Sequence, residues 1–142
     1  MQNVSPRDDL VLVSSRKMLE AADLADFAKS RSLGEVIVEC DAERAHVLLT
    51  ENHFSIAFIG LPDTESRGAL LNALSAGHTH IVLLDDSGKA QGGAGLRVLS
   101  RPFTDWDLEN AITARDAEST HYRADSAFAY MSVREIGNPD AA

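Results

Sequence analysis

The sequence predicts an α/β fold whose parallel sheet is covered by helices on both faces. Two observations carry this. Short apolar runs recur along the chain, at Leu10–Val13, Phe54–Ile59 (broken only by Ser55) and Ile81–Leu84. Such runs suit strands buried on both faces. Stretches with helical spacing lie between them, and strands alternating with helices imply right-handed crossovers. The 142 residues suit one domain with a full core.

Leu10-Val-Leu-Val13 reads as the first strand. Ser14 and Ser15 follow and are suited to capping a helix. That helix carries Met18, Leu19, Ala22, Ala25 and Ala28 as its apolar stripe, widened by Leu24 and Phe27. Gly34 ends its connection, and Glu35–Glu39 forms the second strand. Asp41 caps a second helix with Ala45, Val47, Leu48 and Leu49 on its apolar side. Ser55–Ile59 is the third strand, running into Gly60-Leu61-Pro62.

Asp63 or Thr64 caps the next helix, with Ala69, Leu70, Ala73 and Leu74 on one face and Gly77 as its stop. His80–Leu84 is the fourth strand and Leu96–Leu99 the fifth. Between them, residues 85–95 hold four glycines in eleven residues. Each glycine costs a helix about 1 kcal/mol relative to alanine, so this crossover is expected to be a loop or a single turn. It lacks the spacing of a phosphate-cradling loop and leads into a strand. After Arg101-Pro102-Phe103 the chain turns, and Thr104 caps a last helix carrying Leu108, Ala111 and Ile112. The expected architecture is a flavodoxin-like, doubly wound five-stranded parallel sheet with a shortened or missing fourth helix. Ligands of such sheets sit at the carboxyl ends of the strands, at Ser14, Ser15, Gly60, Asp85 and Arg101.

Hydrophobic residues make up 44% of the chain and charged residues 25%, ordinary values for a globular domain. The formal net charge is −9. That argues against nucleic-acid binding, which needs a cationic surface, and against docking on an anionic membrane. No apolar run approaches the roughly 18 residues of a membrane span, and residues 1–9 have no apolar signal core. Cys40, the single cysteine, excludes an intrachain disulfide and reads as a small core-edge residue. These features fit the cytoplasm. His78 and His80 lack a third ligand and read as surface residues, as do the isolated His46, His53 and His121.

The pattern resembles the receiver (CheY-like) domain of bacterial response regulators over residues 8–116. Three strand runs fall where that family has its first, third and fourth strands. Ser100-Arg101-Pro102-Phe103 stands where it usually has Lys-Pro-Phe. The resemblance implies five chemical positions. Receivers hold Mg²⁺ with an acidic pair after strand one, phosphorylate an aspartate after strand three, and bind the phosphoryl oxygens with a hydroxyl and a lysine. Here the acidic pair maps to Ser14 and Ser15, the nucleophile to Gly60, the hydroxyl to Asp85 and the lysine to Arg101. Counting back from Pro62 instead places the nucleophile at Phe58, which is equally inert.

The resemblance therefore implies a pseudo-receiver, with no catalytic residue, metal or cofactor, that works by contact with another protein. A homodimer stays open. Two alternatives stay beside it: an unusual phospho-acceptor at Asp63 or Asp85, and a small-molecule or anion sensor in the vacated pocket. Arg101 is placed to pair with Asp85 there, while Asp85-Asp86 reads otherwise as a solvated loop. Residues 117–142 form a tail in which Tyr122, Phe128, Tyr130 and Met131 are candidate partner anchors. Equally, the tail packs back on its own domain, or leads to a further domain of a longer regulator.

Overall fold

The computed structural model describes residues 10–113. Five parallel strands form one sheet in the order β2-β1-β3-β4-β5. They are β1 (Leu10–Ser15), β2 (Glu35–Val38), β3 (Phe54–Gly60), β4 (His80–Leu84) and β5 (Leu96–Leu99). Helices α1 (Met18–Ser30), α2 (Ala42–Leu48) and α3 (Glu65–Ala76) fill the first three crossovers. A further helix, α4, begins at residue 105 and is described to 113. This is the expected flavodoxin-like order.

The crossover from β4 to β5 contains no helix. Gly88 and Gly95 both adopt φ +77°, a left-handed conformation that side chains disfavour. An antiparallel bridge between Gly93 and Leu96 folds the loop back on the start of β5. Composition alone thus explains the lost helix.

The sheet separates two apolar layers. Leu10, Leu12, Ala57 and Ile59 join Ala45 of α2 and Leu70 and Leu74 of α3 in one buried cluster. A register shift between Leu10 and Val11 accommodates Ser55 as an extra residue in β3. Phe54 thereby joins that layer despite its odd spacing from Ala57. On the other face, Phe58 meets Phe27 of α1 edge-to-face, with ring centroids 6.3 Å apart. Leu24 and Ala28 bury beside Phe27 on the same helix. Leu108 on α4 is also buried.

Several apolar expectations are corrected by burial. The buried stripe of α1 is Ala21, Leu24, Ala25, Phe27 and Ala28. Met18 and Leu19 are exposed at 82% and 83%, and Ala22 is also exposed. Leu24, Ala25, Phe27 and Ala28 are buried as expected; the difference lies in the first turns, where Ala21 takes the buried position instead of Met18, Leu19 or Ala22. Val47 is exposed, since α2 buries only Ala45 fully. On α3 the buried face is Arg67, Leu70 and Leu74, and Ala69 points to solvent. Cys40 is exposed rather than at a core edge, because it lies beyond edge strand β2. His80 is buried, since it opens the buried strand β4 instead of flanking it.

The caps divide similarly. Asp41 accepts from the Arg44 amide at 2.9 Å, and Thr64 from the Arg67 amide at 3.2 Å. Thr104 and Asp107 cap α4 reciprocally, each accepting from the other's backbone amide. Ser14 and Ser15 do not cap α1; both belong to β1, and the cap position is Lys17, with no side-chain cap bond. Gly77 does end α3, at φ −88°, but the left-handed residue is the following His78 at φ 62°.

Phe58 is fully buried on β3, between β1 and β4, and its ring packs edge-to-face on Phe27 of α1. Phe58→Ala is expected to lose about 3–5 kcal/mol of stability, measured by urea unfolding. Val47→Ala, on an exposed surface, is expected to change it by no more than about 0.5 kcal/mol in the same assay.

Candidate functional site

Parallel strands bring their carboxyl ends to one edge, and the register decides which residues meet there. Ser15 of β1 lies opposite Gly60 of β3. Asp85 and Asp86 follow β4, and Arg101 follows β5. Successive side chains of a strand point to opposite faces. Ser15 points toward α1, where its hydroxyl donates to Glu20 Oε2 at 2.7 Å. Ser14 points the other way, fully buried, with no hydrogen-bond partner for its Oγ.

Gly60 leaves a space above β3, and Glu20 fills it. A β-carbon built on Gly60 would collide with Glu20 Oε2 and come within 3.0 Å of Arg101 Nη2. Arg101 grips the same carboxylate with two donors, Nε to Oε1 at 2.6 Å and Nη2 to Oε2 at 3.0 Å. This two-pronged guanidinium–carboxylate geometry is the strong form of an ion pair. The third nitrogen, Nη1, reaches Asp86 Oδ2 at 3.2 Å, and the Arg101 amide donates to Asp86 Oδ1 at 2.7 Å.

The expected pairing of Arg101 with Asp85 is therefore corrected. Asp85 is buried and turns to Arg67 of α3, whose Nη1 lies 3.3 Å away. The same nitrogen donates to the Leu61 carbonyl at 3.2 Å, while Nη2 reaches Asp63 at 3.2 Å. Asp85 Oδ1 accepts from the Ser87 amide at 2.7 Å, which folds the loop start around it. Asp86 likewise is an Arg101 partner, though its side chain is half exposed. Asp63 is exposed at 82% and bound only on one side, by Arg67.

The titration of these carboxyls follows their partners. Burial by itself pushes Glu20 up, but hydrogen bonds from Arg101 and Ser15 and the charge of Arg101 outweigh it, holding the carboxyl below its ordinary range. Hydrogen bonds from Ser87 first, then Arg67, lower Asp85. The Arg101 amide lowers Asp86. Arg101 itself is raised, chiefly by its bond to Glu20.

The donors at this edge do not suit a hard divalent cation. Ser14 and Ser15 are neutral, Gly60 has no side chain, and both oxygens of Glu20 are taken by Arg101. A metal would have to displace a guanidinium that already neutralises the carboxylate. No group of three potential metal ligands occurs among the described residues. An open cleft of about 400 Å³ lies beside the pair, lined by Arg16, Lys17, Arg67, Asp63 and Asp86 among others.

Glu20 and Arg67 were not singled out from sequence, yet each left a signal. Arg67 stands at i, i+3 and i+7 with the buried Leu70 and Leu74. A cation on a buried face demands a carboxylate across from it. Glu20 sits in the first turn of a helix that starts two residues after β1, directly over the carboxyl edge. Tyr122, Phe128, Tyr130 and Met131 lie outside the described residues.

The fold is that of CheY-like receiver domains. The chain is similar to a response regulator receiver protein from Sinorhizobium medicae at 13% identity and a TM-score of 0.66, over 78% of this chain and 96% of that one. It is similar to a response regulator receiver domain (CheY-like) from Methylobacillus flagellatus at 18% identity and TM-score 0.59, covering 76% and 98%. It is also similar to the receiver domain of a sensor histidine kinase from Pseudomonas aeruginosa, at 16% identity and TM-score 0.60, covering 75% and 96%. That last domain holds a magnesium ion in its active-site cleft. No protein-family model matches the sequence, and no curated protein does. Among the described residues no helix is long and apolar enough to cross a membrane.

Gly60→Ala is expected to destabilise by about 1–2 kcal/mol, because the new methyl displaces a charge-assisted contact. In a Glu20→Ala background the same change is expected to be neutral or stabilising, since alanine suits a strand better than glycine. A double-mutant cycle by urea unfolding reads this coupling.

Carboxyls held low in the fold stabilise it above their unfolded values, near pH 4, and that stability is lost as pH falls through the folded values. Glu20→Gln is expected to flatten part of this acid-side loss, read as the urea midpoint between about pH 3 and pH 6.

Proposed function

We propose that the chain is a two-component-type signalling module that acts by protein contact and without phosphoryl transfer. One observation carries this reading: above Gly60, where the resemblance puts the acceptor, lies a carboxylate from another element, Glu20, with Arg101 clamped on both oxygens. A phosphodonor arriving there meets no nucleophile, no cation-binding set and a guanidinium already neutralised. The module is non-enzymatic and cytoplasmic, binds no cofactor, and takes another protein as its partner. Exposed Met18, Leu19 and Trp106, each above two-thirds accessible, support the contact half of the reading. The family's common dimer face uses its fourth helix, which this chain lacks, so a homodimer would use another surface.

The alternative acceptors are less favoured on the same geometry. Asp85 is buried and engaged by Arg67 and Ser87. Asp63 is exposed but paired with Arg67, and the nearest carboxylate on the same guanidinium, Asp85, is itself engaged, so no set of three metal ligands forms among the described residues.

The full chain incubated with acetyl phosphate and Mg²⁺ is expected to keep its intact mass. Gain of one phosphoryl mass, absent in an Asp63→Asn or Asp85→Asn variant, overturns the proposal and names the acceptor. The partner is sought by affinity capture from the native cell, comparing the full chain with one ending at Glu118. Equal capture of the same proteins assigns the contact to the domain, and loss assigns it to residues beyond 118.

A further inference from the structure

The carboxyl edge contains an anion receptor whose ligand belongs to the chain itself. Three donors converge on one point: Arg101 Nε and Nη2 and the Ser15 hydroxyl, at 2.6, 3.0 and 2.7 Å from Glu20 oxygens. A guanidinium fork with a hydroxyl beside it recognises planar carboxylates and tetrahedral phosphates alike. Gly60 supplies the room, since any larger residue there would enter the space the carboxylate occupies. Lys17 adds its charge to the same carboxylate. Arg16 and Lys17 line the open cleft beside it, giving an anion a route in from solvent.

Opposing charges are few. Asp86 binds the far nitrogen of Arg101 from a half-exposed position. Asp85 and Asp63 are both paired with Arg67. The carboxylate that satisfies the receptor is carried on the flexible side chain of an exposed helix start, next to Met18 and Leu19. It is held there by side-chain bonds alone.

We propose that this is a self-occupied oxyanion site: Arg101 and Ser15 form a receptor for a small carboxylate or phosphate, and Glu20 fills it in the resting state. The proposal rests on the reading that the pocket takes no covalent phosphoryl group, and it names a reversible ligand in its place. A tethered ligand competes at the high effective concentration of an intramolecular group, so the native chain binds free anions weakly. An anion that wins the site expels Glu20 and unties the start of α1 from the loop after β5. A ligand with that differential effect is what shifts a population between two states.

The test uses the full chain with Glu20→Ala, melted in chloride, acetate or inorganic phosphate at matched ionic strength. The variant is expected to melt below the native chain in chloride. It is expected to regain about 4 °C when the anion stands at about five times its Kd. The native chain is expected not to respond, and Glu20→Ala with Arg101→Ala is expected to lose the recovery. Recovery by acetate alone assigns a carboxylate ligand; recovery by phosphate as well assigns oxyanions generally. An equal response of native and variant chains, no response in the variant, or recovery that survives loss of Arg101 overturns the proposal. Should Glu20→Ala not fold, Glu20→Gln carries the test, because its weaker amide is expected to yield to acetate where the native carboxylate does not. Gain of a phosphoryl mass with acetyl phosphate would fail the proposed function, whereas absent recovery in both acetate and phosphate fails this inference alone.

Discussion

The register of β1 on β3 places Ser15 beside Gly60, and the chemistry of the whole edge follows from that pairing. Had the bulge at Ser55 been absent, Phe54 would share a face with Phe58 and Gly60, and the layer under α2 and α3 would lose a fully buried ring. With the bulge, each sheet face keeps its apolar layer and Gly60 faces α1. Only then does a side chain from the first turn of α1 reach the end of β3. The missing side chain at residue 60 is thus not an empty place in the packing. It is the gap into which a neighbouring element has been fitted.

Two arginine–carboxylate systems, one buried and one part-buried, stand side by side at this edge and share no partner. Arg67 binds Asp85, Asp63 and the Leu61 carbonyl, and so ties α3 to the ends of β3 and β4. Arg101 binds Glu20 and Asp86, and so ties α1 to the loops after β4 and β5. Buried ion pairs add little net stability compared with apolar residues of similar size, because desolvation opposes the attraction. Their larger effect is on geometry, since breaking one pair leaves a charge stranded in a poorly solvated place. In this molecule they join particular helices to particular loops. The glycine-rich residues 88–95 carry neither arginine and are mostly exposed.

Strands, caps and the lost fourth helix were legible because they depend on local chemistry. Apolar runs, Asp41, Thr64 and Thr104, and the cluster of glycines each act within a few residues. The absence of a side chain at Gly60 was equally plain. What replaced it was not, because Glu20 and Arg101 lie 81 residues apart and are brought together only by the folded sheet. Pairing Arg101 with Asp85 followed strand ends correctly but ignored Arg67, a cation already on the buried face of α3. Only the start of the α1 stripe was misread: Met18 and Leu19 fit the helical period, but at the first turn nothing covers them and Ala21 is the residue buried.

The contact between Glu20 and Arg101 also bears on how the molecule comes apart. The first helix and the loop after the last strand would ordinarily fray independently, each with its own small opening free energy. Here, lifting the loop after β5 leaves the Glu20 carboxylate desolvated and unpaired, and lifting the start of α1 does the same to Arg101. Neither opening is inexpensive alone. The two segments are therefore expected to open as one cooperative unit, with backbone amides at both protected from solvent exchange to a similar degree. One glycine thus makes room for a staple that joins residues 81 positions apart along the chain.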